Sequence, residues 1–196
     1  DYVLYVFCGL VPYLGFMEGL TSGSLAVRQN MHLVKNVMLP VELLPVRNVL
    51  VAMAGQSIAL AIVLLLVAWN GSLGAGALLV PVHLFVQFTF VVGLALLLAP
   101  IAVIVPDVSY VLNIILFLLM FLSPIGFRPD MVPAEFQFVL QLNPLTYMIA
   151  VYRDSIIFGQ WPGVEAWSVF VGLALAAFVV GSTFFRVFRG VLLDVE

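Results

Sequence analysis

Long apolar runs separated by short polar breaks dominate the chain. Residues 2–25 are apolar apart from Glu18 and a few small side chains, and residues 49–69, 78–105, 110–127 and 167–185 repeat the pattern. A helix needs roughly 20 mostly apolar residues to cross the hydrocarbon core of a bilayer. The pattern therefore predicts an all-α, polytopic transmembrane helix bundle of about five spans in a single domain. The breaks agree with it: Asn70-Gly71 closes one run, Pro106-Asp107 another, and Arg186 and Arg189 follow the last. The cluster Gly71, Gly74 and Gly76 reads as a turn. No strand precedes it, and it lacks the Lys and Ser/Thr of a phosphate-binding loop.

Residues 128–162 behave differently. Pro129, Pro133, Pro144 and Pro162 are too many for one continuous helix. Two short helices fit better. Pro133 can occupy a first turn with Glu135 near its positive end. Asn143 stops that run and caps the next helix, with Pro144 at its first position and an end before Gly159. Each is too short to span, so both read as re-entrant or interfacial helices at one membrane face.

Composition excludes the soluble alternative. Hydrophobic residues make up 64% of the 196 and charged residues 9%, against about 25% charged in a soluble domain. No basic patch suits nucleic acid. The single cysteine, Cys8, allows no intramolecular disulfide. The few cations set an orientation. Five spans put Arg28, Lys35 and Arg47 on the same side as Arg186 and Arg189, with Arg128 and Arg153 opposite. Positive residues favour the cytoplasm, so the first side is expected to be cytoplasmic. The chain would then begin outside, at Asp1 and without a basic leader. One further N-terminal helix is therefore expected, giving six spans in a full chain.

Catalytic chemistry finds little to stand on. There is no G-x-x-x-x-G-K loop, no carboxylate pair at catalytic spacing within a span, and His32 and His83 fall on opposite sides. No metal site is expected. Intramembrane polar groups are the candidates instead. Glu18 reads first as a snorkelling or locally bonded carboxylate, within reach of Thr21 and Ser22, and second as the lining of a transport path. His83 and Gln87 share a helix face at i, i+4 and read as helix–helix glue ahead of a proton relay. Gln56 and Asn113 read the same way. Tyr2, Tyr5, Phe7, Tyr13 and Phe16 crowd the outer half of the first run, and Phe117 and Phe121 stand at i, i+4. These are either an interfacial belt or, where they face inward, a surface for sugar rings.

The segment 28–47 mixes apolar and charged residues, and Pro40 and Pro45 are expected to break it into short pieces. Leu33, Val34, Val37 and Met38 follow an i, i+1, i+4, i+5 pattern. That is a short amphipathic helix needing a surface. A protein partner is favoured slightly over lipid headgroups.

At this segment a resemblance enters. Asn30, Leu33-Val34-Lys35, Pro40, Glu42 and Leu44-Pro45 resemble the coupling-helix region of polysaccharide-class ABC exporter permeases, the membrane subunits that export O-antigen, capsular polysaccharide or teichoic acid. Ser123-Pro124, Asn143-Pro144-Leu145-Thr146, Tyr152-Arg153 and Gly159 follow in the family's order. Two departures stand out. Pro106 precedes Asp107 where the family carries an Arg-Asp pair, and Val41 stands where a basic residue often follows the first proline.

The resemblance implies a multi-pass permease of a bacterial cytoplasmic membrane. Two copies would form a homodimeric path for a lipid-linked glycan, driven by two copies of a separate nucleotide-binding ATPase. ATP and Mg would be bound there, with no cofactor on this chain. Asn30, Leu33, Val34, Lys35, Val37, Pro40, Glu42 and Pro45 would couple to the ATPase. Tyr13, Phe16, Glu18, Phe117 and Phe121 would be path candidates. Asn143, Pro144, Tyr147, Tyr152 and Arg153 would belong to the external re-entrant helices. The rivals are a drug or small-lipid ABC exporter, a channel or scaffold that needs no ATPase, and an intramembrane enzyme.

Overall fold

Helices account for nearly all the regular structure in the computed structural model, which describes residues 2–32 and 40–194, with side chains as far as 188. The helices are α1 (Tyr2–Gln29), α2 (Leu43–Trp69), α3 (Val80–Ile104), α4 (Val108–Leu122), α5 (Gln137–Leu142), α6 (Pro144–Ile156) and α7 (Val164–Asp194). Short 3₁₀ turns at Ala75–Leu79, Pro129–Met131 and Ala134–Phe136 join them. Among the described residues, four stretches are long and apolar enough to cross a membrane: Tyr2–Gln29, Leu43–Trp69, Ala75–Ile104 and Val164–Phe188.

Two expectations change. The run expected as a span over 110–127 is helical only to Leu122, 15 residues in all. At about 1.5 Å per residue that is roughly 22 Å, short of a core about 30 Å thick. Its end has a local cause. Pro124 drives Ser123 into an extended conformation (φ −88°, ψ 142°), and the Ser123 hydroxyl donates to the Leu119 carbonyl at 2.6 Å. Conversely, α2 starts at Leu43 rather than 49 and takes in Pro45. A first turn has no acceptors for its own N–H groups, so Pro45 is tolerated there and does not break the segment.

The upper end of the bundle holds the starts of α1, α3 and α7 and the end of α2. The lower end holds Gln29, Leu43 and Ile104. The most extensive contacts are α3 with α7 and α1 with α2, followed by α1 with α3. Small residues allow the first of these. A Cβ on Gly181 would lie 1.9 Å from the Gly93 carbonyl oxygen, and one on Gly93 would lie 2.4 Å from the backbone of Ala177. Here two backbones touch, the packing that helices use where lipid removes the hydrophobic drive. An aromatic column crosses the centre. Phe16 of α1 stacks on Phe90 of α3 at 5.7 Å, and Phe90 meets Phe170 of α7 edge-on at 6.4 Å. Leu65, Ile58 and Phe85 point outward, as a lipid-facing surface requires.

Candidate functional site: the polar network around α6

The helix α6 begins as its sequence predicts. The Asn143 side chain accepts from the Leu145 N–H at 3.0 Å, Pro144 takes the first helical position, and Gly159 turns the chain with φ +62°. The Asn143 amide also donates to the Ser123 hydroxyl at 3.0 Å. The cap is thereby tied to the break after α4. Most of α6 then disappears into the bundle: Leu145, Met148, Ile149, Val151, Tyr152, Arg153, Ser155 and Ile156 are all buried, against α1, α3 and α7. Tyr147 is partly buried, and its hydroxyl donates to the Gln141 carbonyl at 2.9 Å.

Three polar contacts hold α6 there. The Tyr152 hydroxyl donates to Gln87 Oε1 at 2.8 Å. Gln87 forms a reciprocal amide pair with Gln56, 2.8 Å each way, and its Nε2 also donates to the Pro12 carbonyl at 3.0 Å. One cluster thus joins α1, α2, α3 and α6. Gln87 lies seven residues, about 10 Å, along α3 from its start, so Tyr152 is inside the bundle rather than on its rim. The second contact is His83 Nε2 with Ser155 Oγ at 2.7 Å, the imidazole standing edge-on to Tyr152 and Trp167. His83 and Gln87 do share a face. They bond to different residues of α6, and both serve as glue.

The third contact centres on Arg153. Its guanidinium lies 3.7 Å from the Tyr5 ring centroid and donates to the Tyr5 hydroxyl at 2.9 Å. It also donates to the carbonyls of Pro124 and Ile125, each at 2.5 Å. Arg153 is 4% exposed, so this cation of the upper end lies inside the bundle rather than on its surface. Its carbonyl partners lie in the stretch after α4 that has left the helix and needs donors. A buried polar backbone without them is costly. The backbone completes the docking: Gly76 N–H donates to the Gly159 carbonyl at 3.1 Å, and a Cβ on Gly74 would lie 2.4 Å from Gly159.

The other candidates separate into groups. Tyr13 and Phe16 lie in the packed interior, with the Tyr13 hydroxyl donating to the Leu116 carbonyl. Phe117 and Phe121 stand on the exposed face of α4, edge-to-face at 5.1 Å. Glu18 is exposed along a groove of about 140 Å³ shared with Gly15, Gly55, Gln56 and Ala59. Thr21 and Ser22 bond elsewhere, Thr21 to Asn113 and Ser22 to the Gly19 carbonyl, both at 3.5 Å.

Of the segment 28–47, residues Leu33, Val34, Lys35, Val37 and Met38 lie outside the described residues. Around them, Asn30 donates to the Ala26 carbonyl at 2.8 Å and closes α1, Pro40 is exposed, Glu42 immediately precedes α2, and Pro45 is buried in its first turn. A contact not foreseen is Arg28 donating to the Pro106 carbonyl at 3.0 Å. An arginine thus does reach the turn holding Asp107, from α1 rather than from the preceding residue. Arg28 and Pro106 are 78 positions apart, as Arg153 and Tyr5 are 148 apart, so local spacing carries no trace of either contact. The usable signal was an arginine in an apolar helix with no acid three or four residues away.

Known proteins bear on this architecture. A family model for the ABC-2 type transporter matches residues 4–158. An O-antigen export system permease protein RfbA of Klebsiella pneumoniae is 21% identical over 161 residues, covering 81% of this chain and 62% of that protein. A second of that name from the same species is 23% identical over 190 residues, 95% of this chain and 72% of the relative. The Myxococcus xanthus protein of that name is 23% identical over 189 residues, 95% and 73% respectively. The chain spans roughly three fifths to three quarters of these relatives' lengths. Its apolar helices and the match through all but the last helix make it a multi-pass protein of the bacterial inner membrane, and it belongs to the ABC-2 type transporter family.

Proposed function

We propose that this chain is the permease subunit of an ATP-driven exporter that moves lipid-linked polysaccharide across the cytoplasmic membrane. The observation that carries the reading is the exposed, aromatic face of α4 in a chain of a transporter family. Only Leu112 and Leu116 of α4 are buried, so a whole face of it is free to line a path closed by a second copy. The printed names of the relatives, O-antigen export permeases, favour a glycan. Phe117 and Phe121 offer ring faces to the C–H faces of sugars, contacts that are weak and repeatable and so let a polymer slide. Glu18 adds one carboxylate able to accept from sugar hydroxyls. Tyr13 would support this wall from inside through its bond to the Leu116 carbonyl, with Phe16 packed behind it on Phe90. Two copies of a separate ATPase, which would bind ATP and Mg, would dock on segment 28–47 at the lower, cytoplasmic end. Asn143, Pro144, Tyr147, Tyr152 and Arg153 would then hold a re-entrant hairpin at the outer end.

Deleting the gene and assaying surface glycan together with lipid-linked polymer tests the reading. Loss of surface glycan with polymer accumulating inside is expected. Normal surface glycan without accumulation, in a strain with no second exporter, overturns it. The docking arm is tested by Leu33→Asp with Val37→Asp. The double variant should still insert, yet lose ATPase binding or export. Normal export with the ATPase bound would refute the coupling role.

A further inference from the structure

Above Arg153, at the upper end of the bundle, lies a cavity of about 340 Å³. That is within the usual size range of small-molecule sites. Its walls include Tyr2, Tyr5, Phe127, Arg128, Met131 and Phe158, with no carboxylate among the described lining residues. Two cations act on it. Arg128 is exposed at the cavity and makes no ion pair among the described residues, although Asp130 is two positions on. Arg153 stands behind the wall, bonded to Tyr5, and all its partners are neutral: two carbonyls and a phenol. Its Nε is buried with no partner among the described residues. The carboxylate beside it in sequence, Asp154, is engaged by the Gly163 N–H at 3.2 Å. Neither arginine is thus paired with a carboxylate among the described residues, although Asp130, Glu135, Asp154 and Glu165 lie at the same end.

Height in the membrane identifies the complementary anion. Trp69, Trp161 and Tyr2, 90%, 71% and 68% exposed, ring this same end. Exposed tryptophan and tyrosine collect at the headgroup level of a bilayer. A cavity there, with a cation at its mouth and Phe127, Met131 and Phe158 in its walls, suits a ligand that is anionic at one end and apolar at the other. We propose that this cavity binds a phosphate ester carried on a lipid, the phosphate at Arg128 and the chain along Phe158 and Met131. Two lipids offer that chemistry: a glycerolipid such as phosphatidic acid, and a polyprenyl phosphate. The inference concerns binding to this chain alone and stands whether or not a polysaccharide is the cargo.

Native mass spectrometry of the full-length chain in detergent micelles tests it. Phosphatidic acid, polyprenyl phosphate and phosphatidylcholine would be titrated separately, with inorganic pyrophosphate as competitor. At least one lipid phosphate should be retained tenfold or more over phosphatidylcholine, and the tighter of the two names the source. Arg128→Gln should remove that preference, while Arg186→Gln at the opposite end should keep it. Thermal unfolding of both variants confirms that they are folded. Equal retention of phosphatidylcholine, an unchanged preference in Arg128→Gln, or displacement of the lipid by equimolar pyrophosphate would each overturn the proposal. Polysaccharide export could fail its own genetic test without altering any of these readings.

Discussion

The helices α4 and α6 are nearly equal in length, 15 and 13 residues, and they share no environment. α4 is almost entirely apolar, with two buried residues. α6 carries Tyr152, Arg153 and Ser155, and eight of its thirteen residues are buried. In water the allocation would be reversed. In a membrane protein an exposed leucine or phenylalanine carries little penalty, so α4 is not drawn into the core and its free face is left to line the proposed path. A bilayer does penalise an unbonded hydroxyl or guanidinium, and α6 goes where Gln87, His83 and the carbonyls after α4 wait. Between these two helices, the one that carries the polar groups is the one that is buried.

Substitutions at four positions break or sharpen that contrast. Arg153→Ala should have the largest effect, about 3–5 kcal/mol, because it strands two buried carbonyls and the Tyr5 hydroxyl together. Thermal unfolding in detergent would read it, and Arg153→Lys, which keeps the charge without the fork, should recover part. Gln87→Leu comes next, at about 2 kcal/mol, since it removes the partner of Gln56 and of Tyr152 in one step. Tyr152→Phe deletes a single hydroxyl and should cost about 1 kcal/mol or less. Phe117→Ala closes the series, with stability changed by no more than about 0.5 kcal/mol. Export should nevertheless fall, measured as surface glycan. A Phe117→Ala variant as unstable as Arg153→Ala would mean that α4 is packed against something within the chain, and the contrast would collapse.

What could be read in advance follows from the range of each cause. The apolar runs were legible because lipid contact acts on every residue of a span. The Asn143-Pro144 helix start was legible because the cap bonds Leu145, two residues away. The early stop of α4 was visible in Ser123-Pro124, yet hydropathy alone carried the expected span on to 127, since Ile125 and Phe127 are apolar too. The face shared by His83 and Gln87 was readable from their spacing, but not their partners, which lie 72 and 65 positions away on α6. The burial of Arg153 was hidden for the same reason. Nothing near it in sequence announces Tyr5 or Pro124.

His83 shows what that geometry asks of biosynthesis. As α3 leaves the ribosome, Gln87 already has Gln56 and the Pro12 carbonyl upstream to receive it. His83 has none of its partners, for Ser155 comes 72 residues later. Tyr152 and Trp167 also lie downstream. At 5–20 residues per second the wait for Ser155 is roughly 4–14 s. Through that interval the imidazole lacks these contacts, and α3 can complete them only after α7 has begun to emerge.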